Sequence, residues 1–323
     1  MLTEFIAIIG GFALLVWGAD RFVTGAAATA ANLGVSPLLI GLTIVGFGTS
    51  APEILVSGMA SWNGNPALAI GNGIGSNITN IALILGITAL VMPLQIHSSI
   101  LRRELPMLMI TSLIVYGLFL DKILDFNDGV ILLLGLVVML GWTIYLGLSS
   151  RKSDPMADEY AAELPTKMST PTALFWLLAG IIVLLVSSRL LVWGAVEIAT
   201  HFGISDLIIG LTIVALGTSL PELAASIASA LKNEHEIAIG NIIGSNMFNM
   251  LAVLGIPGII SPGPVENAVV SRDFPIMLGL TLALIIMATG WRSRAGQINR
   301  VEGTLLLSVY CGYQALLYFT LTT

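Results

Sequence analysis

Two short stretches of the sequence place a glutamate directly after a proline, GTSAPE at 48–53 and GTSLPE at 217–222. In each stretch the glutamate follows a threonine by four positions and a serine by three, which puts all three on one face of a helix. Hydroxyl and carboxylate groups are hard oxygen ligands, the kind that Ca²⁺ takes in shells of about 6–8 oxygens and that Na⁺ also accepts. The first candidate ligands are therefore Thr49, Ser50, Glu53, Thr218, Ser219 and Glu222.

A second pair of stretches, GNGIGSN at 71–77 and GNIIGSN at 240–246, supplies amides and further hydroxyls. Polar residues recur every four positions from 72 to 80 and again from 241 to 249, so each set forms one stripe along a helix. Each stretch also holds two glycines four apart, which let another helix approach closely. Further candidate ligands are Ser76, Asn80, Ser245 and Asn249. For Asn72 and Asn241, packing is the favoured interpretation.

The prolines suggest a source of additional oxygens. Proline has no backbone N–H and opens a helix one turn before it. Carbonyl groups near Gly46, and near Ala215 in the second copy, are therefore expected to lose their helical partners.

Two carboxylates balance the charge of one Ca²⁺, and a set without histidine or cysteine does not suit zinc or copper. A protonated, purely structural glutamate is the alternative, which the duplication of the whole pattern disfavours.

Composition indicates the kind of protein that carries these residues. The chain of 323 residues is 56% hydrophobic and only 10% charged, with a mean hydropathy of +0.95. Apolar runs of about the length that crosses a bilayer recur throughout, and they do not alternate as barrel strands do. We predict an all-α integral membrane protein with ten transmembrane helices, at about 5–31, 36–60, 67–92, 106–121, 128–148, 172–199, 205–230, 236–260, 274–291 and 302–321.

The motifs repeat at a constant offset of 169 residues, which indicates an internal duplication. Residues 1–148 and 169–323 each hold five predicted spans, and the polar segment 149–168 is predicted to link them on the cytoplasmic side. Because five is odd, the second copy enters the membrane from the opposite side. The sequence therefore predicts two inverted repeats, an architecture of many secondary transporters whose site lies at the midplane.

Basic residues predict the orientation, since cytoplasmic loops carry an excess of lysine and arginine. The side that holds the N-terminus carries only Lys122 and Arg272. The other side carries nine: Arg102, Arg103, Arg151, Lys152, Lys167, Lys232, Arg292, Arg294 and Arg300. We predict a multi-pass protein of the cell (inner) membrane with both termini outside. Arg21 and Arg189 lie within the long first helix of each half and are expected to snorkel or to pair with a neighbour.

The paired GTSxPE and GSNxxN motifs resemble those of the cation/calcium exchanger superfamily, specifically its sodium/calcium exchanger branch, in a prokaryotic form. The resemblance covers nearly the whole chain. It implies four ion sites lined by the second, third, seventh and eighth helices, and long first and sixth helices that slide to alternate access. It makes Glu53 and Glu222 the charged ligands and adds side-chain oxygens and two backbone carbonyls, from Thr49, Ser50, Thr218, Ser219, Ser76, Ser245, Asn80, Asn249, Gly46 and Ala215.

The function predicted from these features is a secondary antiporter that exchanges Na⁺ for Ca²⁺, with three Na⁺ per Ca²⁺. Asn249 stands where potassium-dependent relatives have aspartate, which argues against K⁺ dependence and extra proton coupling. Proton-coupled or K⁺-dependent Ca²⁺ antiport and a passive cation channel are the alternatives. No enzyme activity and no cofactor are predicted. The expected partners are Na⁺, Ca²⁺ and the lipid bilayer, with no nucleic acid and no evident protein partner.

Overall fold

A computed structural model describes residues 2–35, 39–97, 101–149, 159, 168–289 and 296–322, and almost all of them are helical. Helices satisfy every backbone polar group internally, as a bilayer requires. The α-helices of the first half are Leu2–Asn32, Gly46–Thr49, Ala51–Trp62, Pro66–Ile78, Leu85–Val91, Leu101–Leu118 and Phe126–Ser149, with a short 3₁₀ turn at Phe119–Asp121. Those of the second half are Thr170–Phe202, Asp206–Ile209, Ala215–Thr218, Leu220–Leu231, His235–Phe248, Gly255–Ile260, Phe274–Thr289 and Arg300–Thr322.

Much of the surface of the molecule is apolar, whereas its core contains polar side chains. Leu134, Val138 and Ile182 are each about 60% or more exposed, while glutamates, asparagines and serines of the two motifs are buried. A soluble protein rarely exposes such extended apolar faces. The chain is a multi-pass membrane protein, as its composition predicts.

Fewer spans are recognisable than the ten predicted. Within the described residues, seven helices are long and apolar enough to cross a membrane, or eight if the pair Asp206–Thr218 and Leu220–Leu231, bent by 41°, is one span. The predicted spans 36–60 and 302–321 are not among them. The first of these includes residues 36–38, which lie outside the described part of the chain, and the second is the 23-residue helix Arg300–Thr322. The all-α membrane architecture is confirmed, and the number ten stays a prediction.

Two long helices, Leu2–Asn32 and Thr170–Phe202, lie along each other. At about 1.5 Å per residue each is roughly 45–50 Å long, more than the hydrocarbon thickness of about 30 Å. They touch through small residues: a methyl group at Gly180 would lie 2.5 Å from the Phe22 backbone nitrogen. The pair packs against the proline helices Ala51–Trp62 and Leu220–Leu231.

Two short antiparallel ribbons join the halves. Strand Leu94–Ile96 pairs with Gly296–Ile298, and strand Ile123–Leu124 pairs with Gly263–Pro264. In each ribbon one strand comes from either half of the chain. Both strands of a ribbon also fall on the same side of the membrane in the predicted topology.

Stretches of wider π-helix interrupt the α-helices beside the motifs. They span Ile40–Val45, Thr79–Ile84, Gly210–Val214, Asn249–Val253 and Val269–Asp273. The first four occupy equivalent places in the two halves: one precedes each proline motif, and one follows each GSN triplet. Such segments are frequent at functional sites, and hydrophobic periodicity does not predict them.

Candidate functional site

The two proline motifs form two broken helices. The breaks fall at Ser50, with φ −85° and ψ −1°, and at Ser219, with φ −84° and ψ 7°. Each proline lies in the first turn of the helix that follows, where its missing N–H costs no helical bond. Glu53 and Glu222 therefore also lie in a first turn, close to free N–H groups and the positive end of the helix dipole. Both glutamate side chains are fully buried.

The expectation about freed carbonyls needs a correction for Ala215. The Ala215 oxygen has not lost its helical partner, because it accepts the Ser219 N–H at 3.2 Å. The Gly46 oxygen faces the Thr49 hydroxyl at 3.3 Å. In the second copy the helix stays closed because the proline begins a new helix after the break instead of interrupting one, whereas in the first copy the Ser50 N–H donates to the Gly48 oxygen. A carbonyl oxygen has two lone pairs, so both atoms retain capacity for a second contact.

Serine hydroxyls connect the carboxylates to neighbouring elements. Ser219 Oγ donates to Glu53 Oε1 at 3.2 Å, a contact between the halves. Ser245 Oγ donates to Glu222 Oε1 at 3.1 Å and accepts from Asn80 Nδ2 at 3.1 Å. Because Ser219 lies at the break just before Glu222, these bonds bring both carboxylates into one buried cluster.

Asn72 and Asn241 make specific contacts across the halves and do not only pack. Thr218 Oγ1 donates to Asn72 Oδ1 at 3.1 Å, and Thr49 Oγ1 donates to Asn241 Oδ1 at 3.0 Å. Asn72 Nδ2 in turn donates to the Glu53 backbone oxygen at 3.1 Å. These two asparagines hold the threonines and one proline helix in position.

Two asparagines that sequence reasoning missed lie at the centre of the cluster. Asn77 Oδ1 accepts from Asn249 Nδ2 at 3.0 Å, and Asn246 Oδ1 accepts from Asn80 Nδ2 at 3.0 Å. Asn77 Nδ2 also donates to the Asn246 backbone oxygen at 3.3 Å. The identical GSN triplets were the available signal. The four-residue spacing of the stripe does not include them, and the π-helical turns that follow change that spacing.

All twelve predicted ligands are buried, and the structure brings residues of both halves together. Within the described part of the chain, six of their side-chain oxygens are buried and have no hydrogen-bond partner: Ser50 Oγ, Glu53 Oε2, Ser76 Oγ, Asn80 Oδ1, Glu222 Oε2 and Asn249 Oδ1. An unsatisfied buried polar atom costs about 1–3 kcal/mol, more when charged. A dehydrated hard cation would offset this cost, so this donor set fits Ca²⁺ or Na⁺.

The two ends of the cluster differ in how tightly they are packed. A methyl group at Gly75 would lie 2.7 Å from Leu211 Cα and 2.8 Å from Ala215 Cβ. At the equivalent Gly244, no described atom lies within 4 Å of such a methyl, and this glycine is only half-buried. Phe47 lies on the same side, with its ring 5.7 Å from that of Phe248. Among the described residues, helix packing is therefore tight at Gly75 and loose at Gly244.

Comparison with known proteins gives a consistent result. The model of the family "Sodium/calcium exchanger protein" matches residues 3–151 and again residues 172–319. CaxA of Alkalimonas amylolytica is 50% identical over 98% of this chain and 99% of its own, and the inner membrane protein YrbG of Escherichia coli is 41% identical over 99% and 98%. A solved structure of the sodium-calcium exchanger NCX_Mj superimposes with a TM-score of 0.69 at 32% identity, covering 97% of this chain and 98% of that one. The chain belongs to the sodium/calcium exchanger family.

Proposed function

We propose that this protein is a secondary antiporter that exchanges Na⁺ for Ca²⁺ across the cell membrane. The observation that carries the proposal is the buried cluster of two carboxylates with six unpartnered oxygens, drawn from both halves. The match to NCX_Mj, named a sodium-calcium exchanger, supports the same pair of ions. The twelve predicted residues are the proposed ligands, with Glu53 and Glu222 as the charged ones.

The charge of the cluster suggests a stoichiometry. Two ionised glutamates carry a charge of −2, which one Ca²⁺ neutralises and three Na⁺ convert to +1. Both ions need the same carboxylates, so one displaces the other. Exchange of three Na⁺ for one Ca²⁺ then moves net charge. The membrane potential would drive this movement with about 2.3 kcal/mol per charge per 100 mV.

The uneven packing of the cluster supports alternating access. An antiporter must close its site on one side while the other side is open. In this structure the helices pack tightly at Gly75, whereas no described atom lies close to a methyl group at Gly244. In the proposed topology Gly75 lies in the outer half of the membrane and Gly244 in the cytoplasmic half, so this conformation faces inward.

The proposed topology has ten spans as two inverted repeats, 1–148 and 169–323, joined by a cytoplasmic linker at 149–168, with both termini outside. The two ribbons support it, since each pairs loops that this topology puts on one side. Cysteines replacing the exposed Asn127 and Lys232 test it, in a Cys311→Ser background because Cys311 is exposed. An impermeant maleimide should label Asn127→Cys from outside and Lys232→Cys only from inside. Labelling of both from one side contradicts the topology.

The transport assay is ⁴⁵Ca²⁺ uptake into proteoliposomes. We expect an outward Na⁺ gradient to drive uptake without K⁺, and an inside-positive potential to accelerate it. A pH gradient alone should drive none. Uptake that follows the pH gradient, or that requires K⁺, identifies proton-coupled or K⁺-dependent antiport instead. Uptake that persists with no counter-ion gradient identifies a passive channel.

A further inference from the structure

The long helices carry one arginine each, and the two differ in their surroundings. Arg21 pairs with Asp20 at 3.0 Å, and its guanidinium lies 5.1 Å from the centre of the Trp176 ring. Arg189, on helix Thr170–Phe202, is exposed and has no hydrogen bond or ion pair among the described residues. The protein neutralises the first cation itself, whereas no described residue provides a counter-charge for the second.

Arg189 faces a cavity of about 480 Å³ between the helix Thr170–Phe202 and the turn at Asn63–Asn65. One part of the cavity wall is polar, formed by Arg189 and the two asparagines. The rest is apolar and includes Leu190, Trp193 and valines of the same helix. Such a lining suits a molecule with an anionic head and an apolar body.

The position of the cavity in the fold indicates where that molecule comes from. Trp62, just before the turn, is 77% exposed, and the turn connects two helices of the bundle. A turn between two spans lies at the membrane surface, where tryptophans are enriched. Trp193, 42% exposed, lies in the cavity wall beside it. Arg189 shares the cavity with this turn, so its long side chain can extend toward the level of the lipid headgroups, with the apolar wall toward the acyl chains.

We propose that this cavity binds an anionic phospholipid, with Arg189 contacting the headgroup phosphate. The amide nitrogen of Asn65 can donate to the same phosphate, since its oxygen accepts the Leu68 N–H at 3.4 Å. Asn63 offers a second amide. The acyl chain lies along Leu190 and Trp193. None of the residues that line the cavity belongs to the polar cluster, so the two are distinct and the inference does not depend on the proposed function.

The test uses quenching of Trp193 fluorescence by lipids with brominated acyl chains. The protein is reconstituted in phosphatidylcholine vesicles that contain brominated phosphatidylglycerol or, at equal mole fraction, brominated phosphatidylcholine. The Trp193 signal is the difference between the wild type and Trp193→Phe. A single arginine near the headgroups should favour the anionic lipid by about fivefold. Inorganic phosphate should not relieve the quenching.

Arg189→Gln should reduce quenching by phosphatidylglycerol to the phosphatidylcholine value, and Arg189→Lys should retain part of the preference. Arg21→Gln is the matched control, since it removes the same charge from the other long helix, and it should leave the preference intact. Equal quenching by both lipids in the wild type overturns the proposal. Equal loss in both glutamine variants also overturns it, because it indicates general surface charge. Relief by inorganic phosphate rejects a lipid as the occupant.

Discussion

The helices Pro66–Ile78 and His235–Phe248 carry nearly the same motif in different surroundings. At Gly71 and Gly75 the first helix touches the backbone of the segment 207–211, with no space for a methyl group. At Gly244 no atom of the described residues lies within 4 Å of such a methyl group. If the two halves packed identically, the two equivalent glycines would have the same surroundings. The difference shows that nearly identical motifs can meet different neighbours, since Ala215 contacts Gly75 and the counterpart of Ala215 in the first half is Gly46.

The same two helices are also capped differently. The first begins after Asn65, whose own side chain accepts the Leu68 N–H at 3.4 Å. The second begins after Glu234, which makes no such cap. Its Ile237 N–H instead donates to Glu159 Oε2 at 2.9 Å, from the segment between the halves. One helix start is therefore local and neutral, and the other depends on a distant carboxylate.

The largest effect is expected from substitution of the two buried glutamates, one in each half, which should be equally important. Glu53→Gln and Glu222→Gln should each reduce Na⁺-driven ⁴⁵Ca²⁺ uptake to near background, because each removes half of the charge that binds Ca²⁺. Folding should persist, since glutamine is cheaper to bury than glutamate. Glu104→Gln is the matched control, as Glu104 is buried outside the cluster. Wild-type uptake by either folded cluster variant contradicts the assignment, and retained uptake in only one of them shows that the halves are not equivalent.

The packing difference predicts unequal effects of one substitution at two equivalent glycines. Gly75→Ala would place a methyl 2.7 Å from Leu211 Cα and should destabilise this conformation by about 1–3 kcal/mol. Gly244→Ala meets no described atom within 4 Å and should leave the melting temperature within about 1 °C of the wild type. Thermal unfolding in detergent without Ca²⁺ measures both. Equal shifts of the melting temperature in the two variants would mean that the packing at Gly75 and Gly244 does not differ.

An intermediate effect is expected at Asn80 and Asn249, which are equivalent positions with one unpartnered oxygen each. Asn249→Asp adds a third carboxylate to the cluster. One Ca²⁺ then leaves a negative charge uncompensated, so we expect Ca²⁺ uptake to become dependent on pH or on K⁺ while Ca²⁺ binding is kept. Asn80→Asp should act in the same direction. Uptake by both variants is measured across the neutral pH range with and without K⁺. Loss of Ca²⁺ binding in either would contradict the charge accounting.

The smallest effect concerns the capping carboxylate. Burial is the main cause that raises the pKa of Glu159 to about 7, with Glu236 and Glu234 adding repulsion and the two backbone N–H donors opposing. The folded-state pKa of Glu159 lies above the ordinary value of 4.5. The contribution of its carboxyl group to the stability of the folded state is therefore fully present below about pH 4.5 and is lost as the pH rises through about 7. Hydrogen-exchange protection at Ile237 should therefore fall between pH 6 and pH 8, by less than about tenfold.

Two controls accompany this measurement. Glu159→Gln stays neutral, so protection at Ile237 should no longer change with pH. Protection at Leu68, which a neutral asparagine caps, should not change in either protein. Parallel changes at Leu68 and Ile237 would show that pH acts on the whole fold and not on the cap.

Sequence reasoning identified the polar cluster because its chemistry is explicit in residue types. A glutamate after a proline, twice, inside apolar runs has few structural explanations, and the repeat offset paired the copies. The centre of the cluster was less accessible. Asn77 and Asn246 reach it beside π-helical turns, whose extra residue per turn depends on tertiary contacts that local propensity does not report.

Other features depend on contacts between residues that are far apart in the sequence. The bond from Ile237 to Glu159 joins residues 78 positions apart, and no pattern indicates it. The state of the Ala215 carbonyl depended on whether the proline interrupted a helix or began one, which the sequence leaves open. The unequal packing at Gly75 and Gly244 could not be predicted from identical GSN triplets, because it depends on the neighbouring helix, where Ala215 contacts Gly75 and the counterpart of Ala215 in the repeat is Gly46.

The hydrogen bonds of the cluster have a consequence for biosynthesis. Asn80 pairs with Asn246, 166 residues later, and Asn77 pairs with Asn249, 172 residues later. A ribosome adds about 5–20 residues per second, so the first helices wait roughly 10–30 seconds for their partners. During this interval the nascent chain holds buried amides without their final partners. The halves are therefore expected to complete one another late, with the cluster forming only after residue 249 has entered the bilayer, and membrane insertion alone does not complete the fold.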